Sequence, residues 1–431
     1  MTVGTELRMT RLGDLIAIKH GFAFLGEHFG DFGSHVVLTP GNFLEEGGFI
    51  SKAGKEKWYR GPVPSEYVLR TGDLLVAMTE QAEGLLGSSL LVPEDDRYLH
   101  NQRLGLVKVR DPHRTDTRFL YYLFNHRPIR QQIRGSASGT KIRHTSPSRI
   151  ADVKALVPQV AVQRRIASIL SAYDDLIENC QRRIRLLEDM ARGLYREWFV
   201  HFRFPGADAL PRVDSPLGPI PKGWLVCALS DIAVVHRGRS YRSVDLADEG
   251  GLPFVNLKCL NRDGGFRRSG LKRYTGDFKP ENVVRKGDIV IAVTDMTQER
   301  RIVARAAWVP SLDREHGVLS MDMVGVEPLT GIPKAFLYAF LRFSSFANEV
   351  KQHANGANVL HLSPDRIRDY QLALPLRTLI GRFAGTYEPI LALADALENR
   401  IEVLRRTRDL LLPRLLSGQI DLGLAEKSAP A

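Results

Sequence analysis

The chain has 431 residues, 44% hydrophobic and 25% charged, a length too great for one ordinary core and a composition typical of globular domains. The 60 Lys and Arg against 49 Asp and Glu leave a net charge of +11 and a pI near 9.6, which favours a polyanionic partner through counterion release, although a basic surface also serves solubility. No uncharged apolar run of about 18 residues argues for a transmembrane helix, and the opening MTVGTELRMTRLGDL carries charges where a signal peptide needs an apolar core, so a cytoplasmic protein is expected.

Residues 1–157 read as a mixed α/β domain. Strands are expected at 36–38, 73–78, 89–92 and 104–109, separated by Gly, Pro, Asp and Asn, with one helix at 117–133 whose apolar face runs from Phe119 to Ile129. Cys180, Cys227 and Cys259 lie too far apart for a disulfide framework or a closed zinc site, and the scattered histidines suggest no metal. Asp73 and Asp288 each follow Gly and precede an apolar run, the chemistry of a turn opening a strand rather than of a metal-bound catalyst.

Beyond Pro158 a helix is expected over 158–203. Ile166, Leu170, Tyr173, Ile177, Cys180, Ile184, Leu187, Ala191, Leu194 and Trp198 alternate in steps of four and three, a heptad seam. At 1.5 Å per residue that seam spans roughly 50 Å and needs a partner. Residues 204–222, rich in Pro and Gly, read as a linker with little regular structure.

The second half then replays the first. RLGDLIAI at 11 answers to ALSDIAVV at 228, LRTGDLLVAMT at 69 to VRKGDIVIAVT at 284, FLYYLF at 119 to FLYAFL at 336, and TSPSRIADVKALVP at 145 to LSPDRIRDYQLALP at 362. The offset is 217, slipping to 215 around the Gly-Asp pair. The seam recurs as Phe383, Tyr387, Ile390, Ala394, Leu397, Ile401, Leu404, Arg408, Leu411 and Leu415, broken only at Arg408. A second domain at 223–374, a second helix at 375–420 and a flexible tail at 421–431 follow, a duplicated domain-plus-helix unit of α+β class. Antiparallel pairing of the seams would place the domains at opposite ends of a rod; the linker could also reach for parallel pairing. Between the matching anchors, 25–60 and 245–274 share little.

LEDMARGLYREWFVHF (187–202), LGPIPKGW (217–224), RDLLLPRLLSGQIDL (408–422), the paired Gly-Asp strands and the paired Ser-Pro-x-Arg-Ile turns occur in one order within the duplication. With these, nearly the whole chain resembles the specificity subunit of Type I restriction-modification enzymes. The resemblance implies two target-recognition domains, each reading one half of a split DNA sequence, separated by a long antiparallel two-helix coiled coil. It also implies that the chain has no catalytic activity and binds no cofactor. S-adenosylmethionine would come on two modification (methyltransferase) subunits, and ATP and Mg on restriction (translocase and endonuclease) subunits. No Asn-Pro-Pro-Tyr-like motif or P-loop appears in the chain itself.

Candidate DNA contacts follow from residue chemistry. After the Gly-Asp strands, polar loops carry Thr79 and Gln81 in the first half and Thr294, Gln298, Arg300 and Arg301 in the second. Gln can bond adenine bidentately, Thr can touch phosphate or a thymine methyl, and Arg suits guanine or phosphate. His100, Asn101, Gln102 and Arg103 form a donor and acceptor cluster whose counterpart is Leu319, Ser320, Met321 and Asp322; Asn101, Gln102, Arg103 and Ser320 are candidates. Lys141 and Arg143 in a glycine-containing loop suit phosphate, with Asn358 in the corresponding loop. Arg237, Arg239, Tyr241 and Arg242 form a basic, aromatic-bearing run, answered by Lys19 in the first half. The alternative reading is a non-catalytic coiled-coil scaffold that meets DNA only incidentally.

Overall fold

The computed structural model describes residues 7–420 other than 53 and 82, together with Leu422. The contacts divide the chain into two units, residues 1–177 with 403–431 and residues 178–402. Of the tail expected at 421–431, Leu422 is buried in the first unit's core; the rest lies outside the described residues, as do residues 1–6.

The first unit is built on an antiparallel sheet in which Leu104–Val109 lies between Ile16–His20 and Leu74–Ala77, with Ser89–Leu91 at the far edge. Leu74–Ala77 is buried on both faces, as its continuous apolar run requires. One face is covered by two helices, Thr117–Asn125 and Arg127–Gly135. The single helix expected at 117–133 is therefore broken. Pro128 has no N–H to continue a ladder and disfavours helical backbone before it, so a new helix starts there. Asp116 caps the first of the two, its Oδ1 accepting from Phe119 N at 2.9 Å.

The second unit repeats the frame with Ala233–Arg237, Met323–Pro328, Ile289–Ala292 and Ala306–Trp308 in the same order. Both Gly-Asp aspartates serve turns. Asp73 accepts from Arg70 N and pairs with Lys108, and Asp288 accepts from Arg285 N and pairs with Lys334. The repeated Ser-Pro turns start short helices, with Ser146 accepting from Arg149 N and Ser363 from Asp365 N. A smaller sheet accompanies each frame: Phe29–Gly30, Trp58–Tyr59, His35–Val37 and Tyr98–Leu99 in one, and Leu246–Ala247, Lys272–Tyr274, Leu252–Val255 and Gly317–Leu319 in the other, where Val283–Val284 adds a fifth strand and the first sheet has, among the described residues, only the bridge of Val68 to Leu99. The stretches that share little sequence thus share strand order.

Two long helices, Val160–Tyr195 and Arg377–Leu416, each contribute one part to each unit. A short π-helical turn, Arg196–Val200, follows the first. The pairing is antiparallel: Asp174 meets Arg408 in the first unit, and Phe199, further along, lies on Phe383 in the second, with ring centroids 5.0 Å apart. Ile166, Leu170, Ile177, Cys180, Ala191, Phe383, Tyr387, Leu397, Ile401 and Leu415 are buried. Tyr173, Ile184, Leu187, Leu194, Trp198, Ile390, Ala394, Leu404 and Leu411 are half-buried, as a seam between two helices leaves them. Arg408 is no gap in the pairing, because its Nη1 donates to Asp174 Oδ1 at 2.6 Å and the phenol of Tyr122 donates to the other oxygen at 2.6 Å.

The stretch after the first helix is more ordered than its Pro and Gly content suggests. Arg212–Val213 pairs with Ile220–Pro221, and Phe204, Ile220, Trp224 and Leu379 form a buried cluster. The aromatic residues interleaved among the turn formers bury enough apolar surface to hold it.

Candidate nucleic-acid interface

The main sheet of each unit gathers the candidate residues at one end. In the first unit Gly105 pairs with His20 and Leu104 with Ala77, so three strand ends lie side by side. From them leave the segments 21–25, 78–87 and 100–103, and the hairpin 138–144 pairs onto Thr79 and Glu80. The second unit does the same. Val324 pairs with Arg237 and Met323 with Ala292, and Leu360–His361 pairs onto Thr294–Asp295.

Close backbone approach holds the arrangement. A Cβ on Gly21 would sit 2.1 Å from Asn101 O, and one on Gly238 would sit 2.1 Å from Ser320 O. Only glycine fits at these two matching positions.

A buried carboxylate shapes the loop after each central strand. Glu80 Oε2 accepts from the backbone N–H groups of Gly84, Leu85 and Leu86 at 2.9–3.1 Å. Asp295 accepts from Thr297 N and Oγ1, Ile302 N and Val303 N. Burial alone would push the Asp295 carboxyl up, but the Ile302 and Thr297 donors outweigh it and hold the group below the ordinary carboxylate range. Neither residue stands out in the sequence as a loop organiser. Their signal is the acidic residue that immediately follows each matching run, GDLLVAMT-E and GDIVIAVT-D.

On this framework several expectations are corrected. Thr79 and Thr294 belong to short paired strands rather than loops, and both are buried; Thr79 Oγ1 lies 3.3 Å from His144 Nδ1. Ser320 is fully buried beneath its turn. These three side chains present nothing to a ligand. Lys19 lies over the Tyr67 ring and pairs with Glu66, and Asn101 Oδ1 accepts from Arg103 N within its own turn. Gln298 bonds the carbonyls of Gly356 and Ala357, fastening its loop to the hairpin, while Arg300 reaches Gln352 and Ala354 O. Arg301 is paired with Glu299 and Arg242 with Asp245. The ring of Tyr241 packs edge-on against Phe254 at 4.8 Å and is half-buried.

Other candidates remain available. Gln81, Gln102, Arg103, Lys141 and Arg143 are exposed around one sheet end, and Arg237 and Asn358 around the other. Arg239 is half-buried on the turn beside Ser320, its Nε without a hydrogen-bond partner among the described residues. Cations and amides converging on a rigid sheet end can hold phosphates and present donor and acceptor pairs to base edges. Among the described residues no group of three or more His, Cys, Asp or Glu is placed to hold a metal, and no helix is long and apolar enough to cross a membrane.

Comparison with known proteins agrees with the duplication. The family model for the Type I restriction modification DNA specificity domain matches twice, at residues 5–189 and 221–380. The chain is 24% identical over 310 residues to the Type I restriction enzyme MjaIX specificity subunit of Methanocaldococcus jannaschii, covering 70% of this chain and 68% of that one. To the MjaVIII specificity subunit of the same organism it is 23% identical over 312 residues, covering 69% and 70%. Among solved structures, the S subunit of a Type-I restriction-modification system from M. genitalium shares the fold at a TM-score of 0.60 and 16% identity, covering 96% of this chain and 97% of that one.

Proposed function

Because this chain belongs to the Type I restriction modification DNA specificity family, its role is DNA sequence specificity in a Type I restriction-modification system, and we propose that it reads a bipartite target, one half with each sheet end. One observation carries this reading. The two sheet ends are matched down to individual backbone hydrogen bonds, yet the exposed side chains mounted on them differ. Identical frames with different faces suit two different half-sequences.

In this proposal Gln81, Gln102 and Arg103 contact bases, Lys141 and Arg143 anchor phosphates, and Arg237 and Arg239 engage the second half-site. The helix pair sets the unread spacing, since a shift of one residue along a helix moves its cargo by about 1.5 Å. The chain performs no chemistry itself. Methyl transfer belongs to modification subunits that bring S-adenosylmethionine, and cleavage to restriction subunits that bring ATP and Mg. Exposed apolar residues off the seam, Leu186 and Met190 in one unit and Val403 and Leu410 in the other, supply surface for such subunits. The system operates on cytoplasmic DNA.

Gel-shift titration of the complex with its modification subunits tests the proposal. It predicts preference for a split site over scrambled DNA, and a uniform loss of affinity with a shallower salt dependence when Lys141 and Arg143 become Ala. Binding without sequence preference at moderate salt would leave a coiled-coil scaffold as the better description.

A further inference from the structure

Two exposed methionines of the second unit stand where the first unit has two exposed glutamines. Hydrogen bonds fix the equivalence where the sequence offset drifts. Met78 N donates to Arg103 O at 3.0 Å as Val293 N donates to Asp322 O at 2.9 Å, and Gln102 N donates to Phe22 O at 3.0 Å as Met321 N donates to Arg239 O at 2.8 Å. The short strands that follow also pair alike, Thr79 on His144 and Thr294 on His361. Gln81 therefore corresponds to Met296, Gln102 to Met321 and Arg103 to Asp322.

Met296 is 68% exposed and Met321 51% exposed. A single exposed methionine needs no explanation, since apolar atoms make up much of any protein surface. This pair sits on neighbouring turns joined by the Val293–Asp322 hydrogen bond, where the other unit offers amides to solvent. A thioether has almost no hydrogen-bonding capacity, so it cannot read a donor and acceptor pattern. What it can read in the major groove is the one apolar feature there, the 5-methyl group of thymine, and its unbranched chain adapts to that contact.

We infer that Met296 and Met321 are specificity-determining residues that recognise thymine 5-methyl groups in the half-site taken by the second unit. Gln81 and Gln102 meet base edges by hydrogen bonding in the first. Asp322, an acceptor in place of the donor Arg103, suits a cytosine amino group beside those thymines. The inference rests on each sheet end being a half-site reader.

The test uses the full chain assembled with its modification subunits and the target found by mapping methylated bases in host DNA. Duplexes carry uracil in place of each thymine of the second half-site in turn, which removes only the methyl group. Affinity is expected to fall about fourfold for each methyl read, the equivalent of one buried CH₂-sized group. Complexes bearing M296A and M321A should be indifferent to the same replacement, and uracil in the first half-site should be tolerated by all. A second half-site built of G·C pairs alone, or uracil tolerated throughout it by a complex that still selects the split target, overturns the inference while leaving half-site reading intact. Loss of all sequence preference would instead defeat that reading.

Discussion

His100 sits below the 101–103 turn, fully buried, with Nε2 donating to Leu104 O at 2.9 Å. Burial pushes its imidazole down from the ordinary 6.5 to about 4, so the ring is neutral in the folded protein at neutral pH. Above pH 6.5 neither folded nor unfolded chain holds that proton. Below it the unfolded chain binds the proton first, and stability is lost until the pH falls through the folded value. On the order of 3 kcal/mol is at stake between pH 6.5 and 4. Thermal unfolding at pH 7 and pH 4.5 should show a larger drop for the native chain than for His100→Gln; equal drops would contradict this account. His100 also marks where residue-level reading of the sequence stops. Chemistry alone groups it with Gln102 and Arg103, but His100 is buried under the turn on which those two are exposed, and Thr79 and Ser320 are buried as well, a distinction that residue type does not carry.

At the scale of elements, the helix pair was legible because a heptad repeated over two long stretches is a strong signal. The meaning of its one polar position was not. Arg408 reads as a break, whereas in space it completes a set with Asp174 and Tyr122, residues distant in sequence. Burial and the adjacent Asp174 push the Tyr122 phenol well up, which keeps it a proton donor to that carboxylate. Replacing Arg408 by Leu leaves Asp174 half-buried without its cation and should cost about 1–3 kcal/mol in chemical denaturation. The triple change Tyr122→Phe, Asp174→Leu and Arg408→Leu should recover most of that loss. At the offset of 217 the second unit carries Ala339, Leu391 and Ala191 in the same places. A triple variant less stable than Arg408→Leu would refute the compensation. Of the smaller sheets the strand expected at 36–38 was legible, found at His35–Val37, and the rest were not, for a different reason. Strands of two to four residues carry too little alternation to register, and divergent sequence hid their common order.

For the whole molecule, the duplication was readable as matching stretches, and the family followed from their order. Which side chains face a ligand was not readable, because insertions shift the offset inside each domain and only backbone hydrogen bonds restore the alignment. The resulting picture is of one frame used twice, each copy closing its core with its own part of the helix pair and carrying its own set of exposed residues. In the proposed reading, specificity belongs to the sheet ends and spacing to the helices. The most direct measurement is single-molecule sequencing of methylated bases in cells that make this chain with its modification subunits, before and after residues 7–157 are exchanged for the matching segment of another family member. The account predicts that one half of the methylated sequence changes while the other half and the spacer length stay fixed. Change in both halves, or in neither, would contradict it.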